Sequence, residues 1–297
     1  MRPVSKLNVR QEPTPARPDA DSARLSVGPL ADEKEALRFL AGRSIPTAFM
    51  TTLIRDNGLR SPLNRGTFYG CRDRAGRLEG VALVGHATMF EARTEEAVRS
   101  FAELAKGDTR ARVLLGEQEE AARFVSHYAG PGWSPRAVNR EMLFEQRKLV
   151  EVHQPVPGLR PATLADLEAV VEVHAAMAYE ESGVNPLERD PVGFRVRTAR
   201  RLEQGRVWVW AEGGRLVFKA DVVADTPEVT YLEGVYVHPD ERGRGYGLRC
   251  ISQLGRTLLS RTRSICLLVQ EQNHAAREFF RRADYTLRGY YDTIYLQ

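Results

Sequence analysis

The pattern of apolar and polar positions in the second half of the chain changes between a helical period and a strand period. Leu167, Val170 and His174 recur at the spacing of one helix face, and a shorter Arg-rich helix is predicted over 192–203. The segment VWVWAEGGRLVFKADVV then alternates with a period of two around Gly213-Gly214, which predicts a β-hairpin.

The remaining elements of this half follow from the same two periods. TYLEGVYV is predicted to form a strand, and the apolar SICLLV is typical of a strand that is covered on both faces. HAAREFFRR predicts a short helix, and RGYYDTIYL predicts a closing strand. This alternation indicates an α/β or α+β fold with a mixed sheet.

The first half shows a fainter version of the same plan. FYGCRDRAGRLEGVALVG predicts a hairpin that turns at Ala75-Gly76. RVLLGEQEEAARFV parallels CLLVQEQNHAAREFF, with AAR at 121–123 and again at 275–277. We therefore consider a tandem repeat whose first copy has lost its phosphate site, against the alternative that such short matches arose by chance.

Proline-containing segments suggest where the chain divides. Residues 1–25 carry several prolines and almost no apolar periodicity, so we expect a disordered tail. A second such stretch, VHQPVPGLRPAT, predicts a linker at 151–157. The linker would separate an N-terminal α/β domain at 26–150 from a second domain at 158–297.

Composition excludes several classes of protein. The net charge of +4 is spread along the chain, which argues against a nucleic-acid-binding protein. The 3 cysteines are widely spaced without a CxxC motif, so we expect neither a disulfide framework nor a metal site. The sequence has no apolar run of membrane-spanning length and no secretory signal, so we expect a cytoplasmic protein without a membrane partner.

The segment ERGRGYG is the strongest candidate for chemistry. Gly243, Gly245 and Gly247 keep the backbone free of side chains, and an amphipathic helix is predicted directly behind them. The first turn of a helix presents unpaired N–H groups, which favour an anion and above all a phosphate. Arg242 and Arg244 would add charge-assisted donors. The loop therefore predicts a pyrophosphate site.

The spacing separates this loop from two other phosphate-binding motifs. A P-loop would require GxxxxGK[ST], and a Rossmann fingerprint would require GxGxxG in an early βαβ unit. Residues 242–247 instead resemble R/Q-x-x-G-x-G/A, the acyl-CoA signature of the GNAT N-acetyltransferase superfamily. The likeness covers about 158–297, and the whole chain resembles bacterial two-part GNAT proteins with a divergent N-terminal domain.

The resemblance implies a mixed-sheet GNAT fold with splayed central strands at 230–237 and 264–269, preceded by a second α/β domain that is a candidate degenerate repeat. It implies acetyl-CoA as the acyl donor, no metal, and a primary amine of a small molecule or peptide as acceptor. It implies Glu233 as the catalytic base, and the alternative is that Glu233 pairs with a sheet neighbour or a nearby arginine. The implied cofactor contacts are Val235, Tyr236, Val237, Arg242, Gly243, Arg244, Gly245, Tyr246, Gly247, Asn273 and Phe280.

One departure from the family pattern bears on catalysis. Many members carry a tyrosine seven residues after the asparagine, where its hydroxyl protonates the leaving thiolate, but this chain has Phe280 there. Tyr236, Tyr285, Tyr290 and Tyr291 are alternative donors by proximity in sequence only, and each also suits a packing role. The departure keeps open a non-catalytic acyl-CoA sensor as the alternative function.

The sequence says less about which residues bind the acceptor. Tyr179, Glu180 and Glu181 could attract a cationic amine or form a solvated acidic loop, and we expect His174 to be a buried structural histidine. The first half could complete the acceptor pocket, form a homodimer surface or only stabilise the second half.

Overall fold

The computed structural model describes residues 25–296, which form one mixed sheet of 12 strands with helices on both faces. The expected α/β class with a mixed sheet is confirmed. The predicted tail at 1–25 falls almost entirely outside the described residues. No helix within residues 25–296 is long and apolar enough to cross a membrane.

The first half supplies strands β1 to β6 and helices α1 to α4. The strands are β1 (Ser26–Pro29), β2 (Gly66–Arg72), β3 (Leu78–Gly85), β4 (Ala87–Ala92), β5 (Val113–Glu117) and β6 (Ala137–Gln146). The helices are α1 (Glu33–Leu40), α2 (Ala48–Asn57), α3 (Glu95–Gly107) and α4 (Gln118–Tyr128).

The second half supplies the remaining elements. Its strands are β7 (Arg160–Pro161), β8 (Val207–Glu212), β9 (Arg215–Asp225), β10 (Thr230–Val237), β11 (Ile265–Gln270) and β12 (Thr286–Tyr295). Its helices are α5 (Leu167–Ser182), α6 (Pro186–Arg189), α7 (Pro191–Glu203), α8 (Tyr246–Leu259) and α9 (His274–Arg282). The helices and strands predicted for this half are confirmed, with differences of one or two residues at several ends.

The tandem repeat is visible in the order of the elements. Each half runs through a hairpin, a third strand, a helix, a fourth strand, a second helix and a closing strand. The hairpin turns match closely, since Gly76 has φ +80° and Gly214 has φ +79°. The two AAR segments lie in α4 and α9, the helices that occupy equivalent places in the two halves.

The halves are joined by an exchange of their closing strands. The strand order is β1-β2-β3-β4-β5-β12-β6-β11-β10-β9-β8-β7, so β6 lies beside β11 and β12 lies beside β5. Both contacts are antiparallel and extend over five residue pairs or more. Each half thus completes the sheet of the other, and side chains of β6 are placed among those of the second half.

Two layers of helices cover the joint sheet. On one face α8 and α9 pack on a core that includes Phe144 of β6, Phe218 and Ile251. The opposite face of the second half is covered by α5 and α7, and α2 reaches it from the first half. The Phe49 ring lies 4.8 Å from that of Tyr231, because α2 packs across the boundary between the halves.

Candidate active site

The parallel strands β10 and β11 separate part-way along their length. They pair only at Thr230–Leu232 with Ile265–Leu267, and no pair follows within the described ladder. Beyond Leu232 the two strands diverge, which leaves an opening between 233–237 and 268–270. The splayed central strands that the sequence resemblance implied are present.

A β-bulge at Gly234 sets the course of β10 beside this opening. Gly234 has φ +58°, and neither Gly234 nor Val235 has a ladder partner on β9 or β11. Leu232 and Val235 contact the same core cluster although they are three residues apart, because the bulge shifts the alternation of the strand. The bulge thus interrupts the ladder with β9 for two residues at the edge of the opening.

The glycine loop lies between β10 and α8 and is open to solvent. Gly243 and Gly245 have φ of +77° and +80°, and a Cβ on either would meet no atom within 4 Å. Among residues 25–296, no partner is found for the backbone N–H groups of Gly243, Arg244 and Gly245. Gly245 caps α8 without a side-chain hydrogen bond. This cradle of unpaired donors at a helix N-terminus fits a pyrophosphate.

The side chains of the loop differ in how they are held. Arg242 donates from Nε to the Val237 carbonyl at 3.1 Å, and Arg244 donates from Nη1 to Glu241 at 2.9 Å. The Tyr246 ring packs edge-on against Trp210 at 5.1 Å. Each arginine retains other guanidinium nitrogens for an incoming anion.

Gly247 has a different role from the other two glycines. Its φ is not positive, and a Cβ there would lie 2.9 Å from Val237 Cγ2 and 3.1 Å from Phe279 Cε2. The residue is buried, so it allows the first turn of α8 to approach β10 and α9 closely. Gly247 is thus needed for close packing, whereas Gly243 and Gly245 allow the backbone conformation of the open loop.

Asn273 and Phe280 lie at the two ends of α9. The Asn273 side chain accepts a hydrogen bond from the Ala276 N–H at 3.0 Å and thereby caps the helix. Phe280 is 6% exposed and packs between Phe279 and Tyr285, with ring centroids at 5.0 and 5.5 Å. Phe280 therefore belongs to the core beneath α9, and a contact with the coenzyme remains a prediction.

Two carboxylates beside the opening, those of Glu233 and Glu141, come from different halves of the chain. Glu233 precedes the bulge and is exposed. Glu141 of β6 pairs with Gln270 at the end of β11 and accepts a hydrogen bond from Thr293 Oγ1 at 2.7 Å. Burial raises the pKa of Glu141 above its ordinary value, and the negative charge of Glu233 raises it further. The strand exchange thus places an acidic group of the first half beside the predicted base.

A buried ionic network supports the bulge from beneath. Lys219 is fully buried on β9 and donates to Asp221 Oδ2 at 2.7 Å, and His174 Nε2 lies 2.9 Å from the same oxygen. Burial alone would raise the pKa of Asp221, but the charge of Lys219 and the hydrogen bond from His174 hold it below its ordinary value. The His174 side chain is 10% exposed and structural in its contacts, as expected.

The network lies against the backbone at Gly234. A Cβ on Gly234 would lie 2.8 Å from both Lys219 Nζ and Asp221 Oδ2. A side chain at this position would therefore displace the buried pair. Glycine is required here both by the positive φ and by the space that the ion pair occupies.

The four tyrosines considered as proton donors lie in different surroundings. Tyr285 and Tyr291 are buried, and Tyr290 is 40% exposed on β12. Tyr236 lies on β10 directly after the bulge, opposite Lys219. Burial, and secondarily the charge of Glu180, raises the pKa of Tyr236 above 10.0 despite the nearby Arg242. Tyr236 is thus the half-buried tyrosine that follows the bulge, and it keeps its proton at neutral pH.

The thiols offer no nucleophile. Cys71, Cys250 and Cys266 are free and buried. Burial raises the pKa of both Cys250 and Cys266 to about 12, so neither is a thiolate at neutral pH. No group of three or more His, Cys, Asp or Glu residues within 25–296 is arranged to hold a metal ion.

The equivalent opening in the first half is closed. Strands β4 and β5 pair in parallel only at Ala87–Val113 and Thr88–Leu114. Arg43 fills the space beyond, with Nη1 3.3 Å from Glu91 and Nη2 2.5 Å from Glu117, and a cavity of only about 20 Å³ remains.

The loop that leads from β4 into α3 is also unsuited to phosphate. It contains no glycine, and the Thr94 side chain already accepts from the Ala97 N–H at 3.2 Å. Glu95 and Glu96 follow in the first helical turn, where their charges would repel an anion. The first copy of the repeat thus lacks both the phosphate cradle and the open cleft.

The structure brings most of the predicted site together. Glu233, residues 235–237 and residues 242–247 line one continuous run from β10 into α8, and Asn273 begins the next helix. Sequence reasoning missed Glu141, Lys219 and Asp221. The alternation in KADVV gave no sign that its charges would be buried, and nothing in the sequence signalled that β6 would cross between the halves.

Comparisons with known proteins agree with this arrangement. Residues 171–285 match the model of the acetyltransferase (GNAT) family. A GNAT-family acetyltransferase structure from Colwellia psychrerythraea aligns with a TM-score of 0.57 at 12% identity, over 92% of this chain and 100% of the other. A GCN5-related N-acetyltransferase from Sphaerobacter thermophilus aligns with a TM-score of 0.58 at 17% identity, over 93% and 95%.

A two-part protein is also among the similar structures. A tandem GNAT protein from the clavulanic acid biosynthesis pathway aligns with a TM-score of 0.57 at 14% identity, over 91% of this chain and 98% of the other. At these identities the likeness concerns the fold, and it is consistent with the repeat described above. No curated protein matches the chain significantly.

Proposed function

Because residues 171–285 match the model of the acetyltransferase (GNAT) family, we propose that this protein transfers an acetyl group from acetyl-CoA to a primary amine. The observation that carries the proposal is the set of unpartnered N–H groups from Gly243 to Gly245 at the start of α8, which has no side-chain cap. These donors follow β10, which no longer pairs with β11 beyond Leu232. A long ligand with a diphosphate at one end matches both features.

The chain would hold the coenzyme at several places. The loop N–H groups and the free nitrogens of Arg242 and Arg244 would bind the diphosphate. The backbone of 235–237 would bind the amides of the acyl-pantetheine arm, and Asn273 would add its free side-chain nitrogen. When bound, acetyl-CoA supplies an activated thioester.

The acidic groups at the opening suit a cationic acceptor. Glu141 and Glu233 together favour an ammonium group over an anion. Glu233 is exposed at the bulge, and it would remove a proton from the amine so that the nitrogen can attack directly. A direct transfer in a ternary complex is further supported by the burial of all three cysteines.

Tyr236 is the proposed donor for the leaving thiolate. It directly follows the bulge at Gly234, and its raised pKa keeps the hydroxyl protonated at neutral pH. The position that carries a tyrosine in many family members is Phe280, which has no proton to give.

Binding and turnover are tested separately. We expect acetyl-CoA to raise the melting temperature, whereas NAD and ATP at equal concentration should not, since a ligand selective for the folded state stabilises it. Release of free coenzyme A with a panel of polyamines, amino sugars, amino acids and peptides would then identify the acceptor. Absence of stabilisation by acetyl-CoA would refute the proposal.

A non-catalytic acyl-CoA sensor is the second candidate function, and the phenylalanine at position 280 is the observation that favours it. This alternative predicts stabilisation by acetyl-CoA without release of coenzyme A for any amine in the panel. Acceptors that are small molecules or peptides remain our proposal, in preference to nucleic acid or a membrane surface.

A further inference from the structure

A large cavity lies at the first half's counterpart of the candidate active site. It has a volume of about 630 Å³ and is bounded by the end of β5, the start of α4, strands β6 and β12, and the Ile45–Pro46 segment before α2. Because β5 and α4 correspond to β11 and α9, this cavity lies at the first half's equivalent of the end of β11 and the start of α9. The coenzyme opening beside it is closed, so transfer chemistry does not explain why the cavity persists.

One wall of the cavity carries two arginines anchored on a buried carboxylate. The Glu145 side chain is 1% exposed and accepts from Arg147 Nε and Arg288 Nε, each at 2.7 Å. Both guanidinium groups use Nε for this contact, and no partner for their Nη nitrogens is found within residues 25–296. The shared carboxylate thus holds both guanidinium groups in place and leaves their Nη N–H donors available to an anion.

The part of the cavity formed by the end of β5 and the start of α4 is acidic. Glu119 lies at the start of α4, is exposed, and has no hydrogen-bond partner among the described residues. Glu117 and Glu120 also line the cavity, but they are bound to Arg43 and Arg123 respectively. The available charges are therefore two guanidinium groups, one directly after β6 and one on β12, and one carboxylate at the start of α4.

We propose that this cavity binds a small zwitterion of the amino-acid or short-peptide class, with its carboxylate on Arg147 and Arg288 and its ammonium group on Glu119. A planar fork of N–H donors matches a carboxylate in bidentate geometry, which a lysine does not reproduce. A cavity of this size accommodates such a molecule with room for a side chain. Opposed charges select a dipolar ligand over a simple anion or cation.

The experiment measures binding of glycine, glutamate, lysine and glycylglycine by calorimetry, with acetate and ethylamine as singly charged controls. The test variant is Arg147→Lys/Arg288→Lys, which keeps a cation beside the buried Glu145 but removes the forks. Arg77→Lys is the matched control, because Arg77 also donates from Nε to a carboxylate but lies on the β2–β3 turn. We expect at least a tenfold loss of affinity in the double variant and none in the control.

A second variant tests the ammonium contact. Glu119→Gln should remove the preference of the protein for glycine over acetate while leaving acetate binding unchanged. Acetyl-CoA binding should be the same in all of these variants, which separates this inference from the transferase proposal. The inference is overturned if no zwitterion binds, if the double variant binds like the wild type, or if Glu141→Gln is the variant that abolishes binding.

Discussion

Replacing Gly234 with alanine adds one methyl group at the bulge and tests whether the buried ion pair sets the shape of β10. The new Cβ would lie 2.8 Å from Lys219 Nζ and 2.8 Å from Asp221 Oδ2. Neither atom can retreat into solvent, because Lys219 is 0% exposed and Asp221 is 3% exposed. The methyl group must therefore separate the pair or shift the backbone of the strand.

The chain offers a closely matched control for this change. Gly213 has φ +57°, against +58° for Gly234, but a Cβ on Gly213 would meet no atom within 4 Å. Both substitutions place alanine in the left-handed region, which costs about 1–2 kcal/mol. Alanine also restricts the unfolded chain, and this offsets about 0.4–1 kcal/mol of that cost. The control should thus lose at most about 1.6 kcal/mol.

Gly234→Ala should lose more, because it also disturbs a buried charge pair. Removing one partner of such a pair costs about 3–5 kcal/mol, and a displaced but intact pair should cost part of that. We expect a total loss of about 3 kcal/mol in the free energy of unfolding, measured by urea denaturation. If the proposed transferase activity is found, kcat/KM should fall at least tenfold in Gly234→Ala only. Equal destabilisation by the two substitutions would refute the role assigned to Lys219 and Asp221.

Three further predictions concern the loop, the carboxylates and the proton donor. Gly245→Ala and Gly76→Ala, both at φ +80° with open space, should destabilise the protein equally, but only Gly245→Ala should weaken acetyl-CoA binding in calorimetry. Because the pKa of Glu141 is raised in the folded protein, its ionisation lowers stability as the pH rises through the folded value. Glu141→Gln should therefore gain in melting temperature relative to wild type at pH 7 but not at pH 4. Tyr236→Phe should lower kcat for coenzyme A release at least tenfold, and Tyr290→Phe should leave it unchanged.

Local patterns in the sequence predicted much of the second half. The strand at 230–237 and the helix at 274–282 have the predicted bounds, because their apolar periodicity agrees with their neighbours in space. The loop at 242–247 could also be predicted, because a loop that exposes its backbone N–H groups uses glycines, and the glycines are visible in the sequence. Features that depend on the backbone conformation of a few residues could thus be predicted from the sequence.

The burial of Lys219 and Asp221 could not be predicted from the sequence in this way. In KADVV, the apolar residues Ala220 and Val222 predict one core face, and Lys219 and Asp221 would ordinarily point to solvent. They are buried because α5 covers this face and supplies His174 to the same carboxylate. A pattern along one strand reports alternation, but it does not report which other element covers each face.

The strand exchange explains why the first half cannot be assigned a role from its own sequence. Glu141 and Glu145 lie on the same face of β6. Taken from the sequence of the strand alone, these carboxylates would suit an edge strand with one solvated face. In the joint sheet, however, Glu141 contributes to the candidate active site, while Glu145 anchors the arginines of the second cavity. One strand thus carries a carboxylate to each of two sites through pairings with β11 and β12. The first half is therefore part of both sites, and its removal would open the sheet beside β11 as well as the cavity.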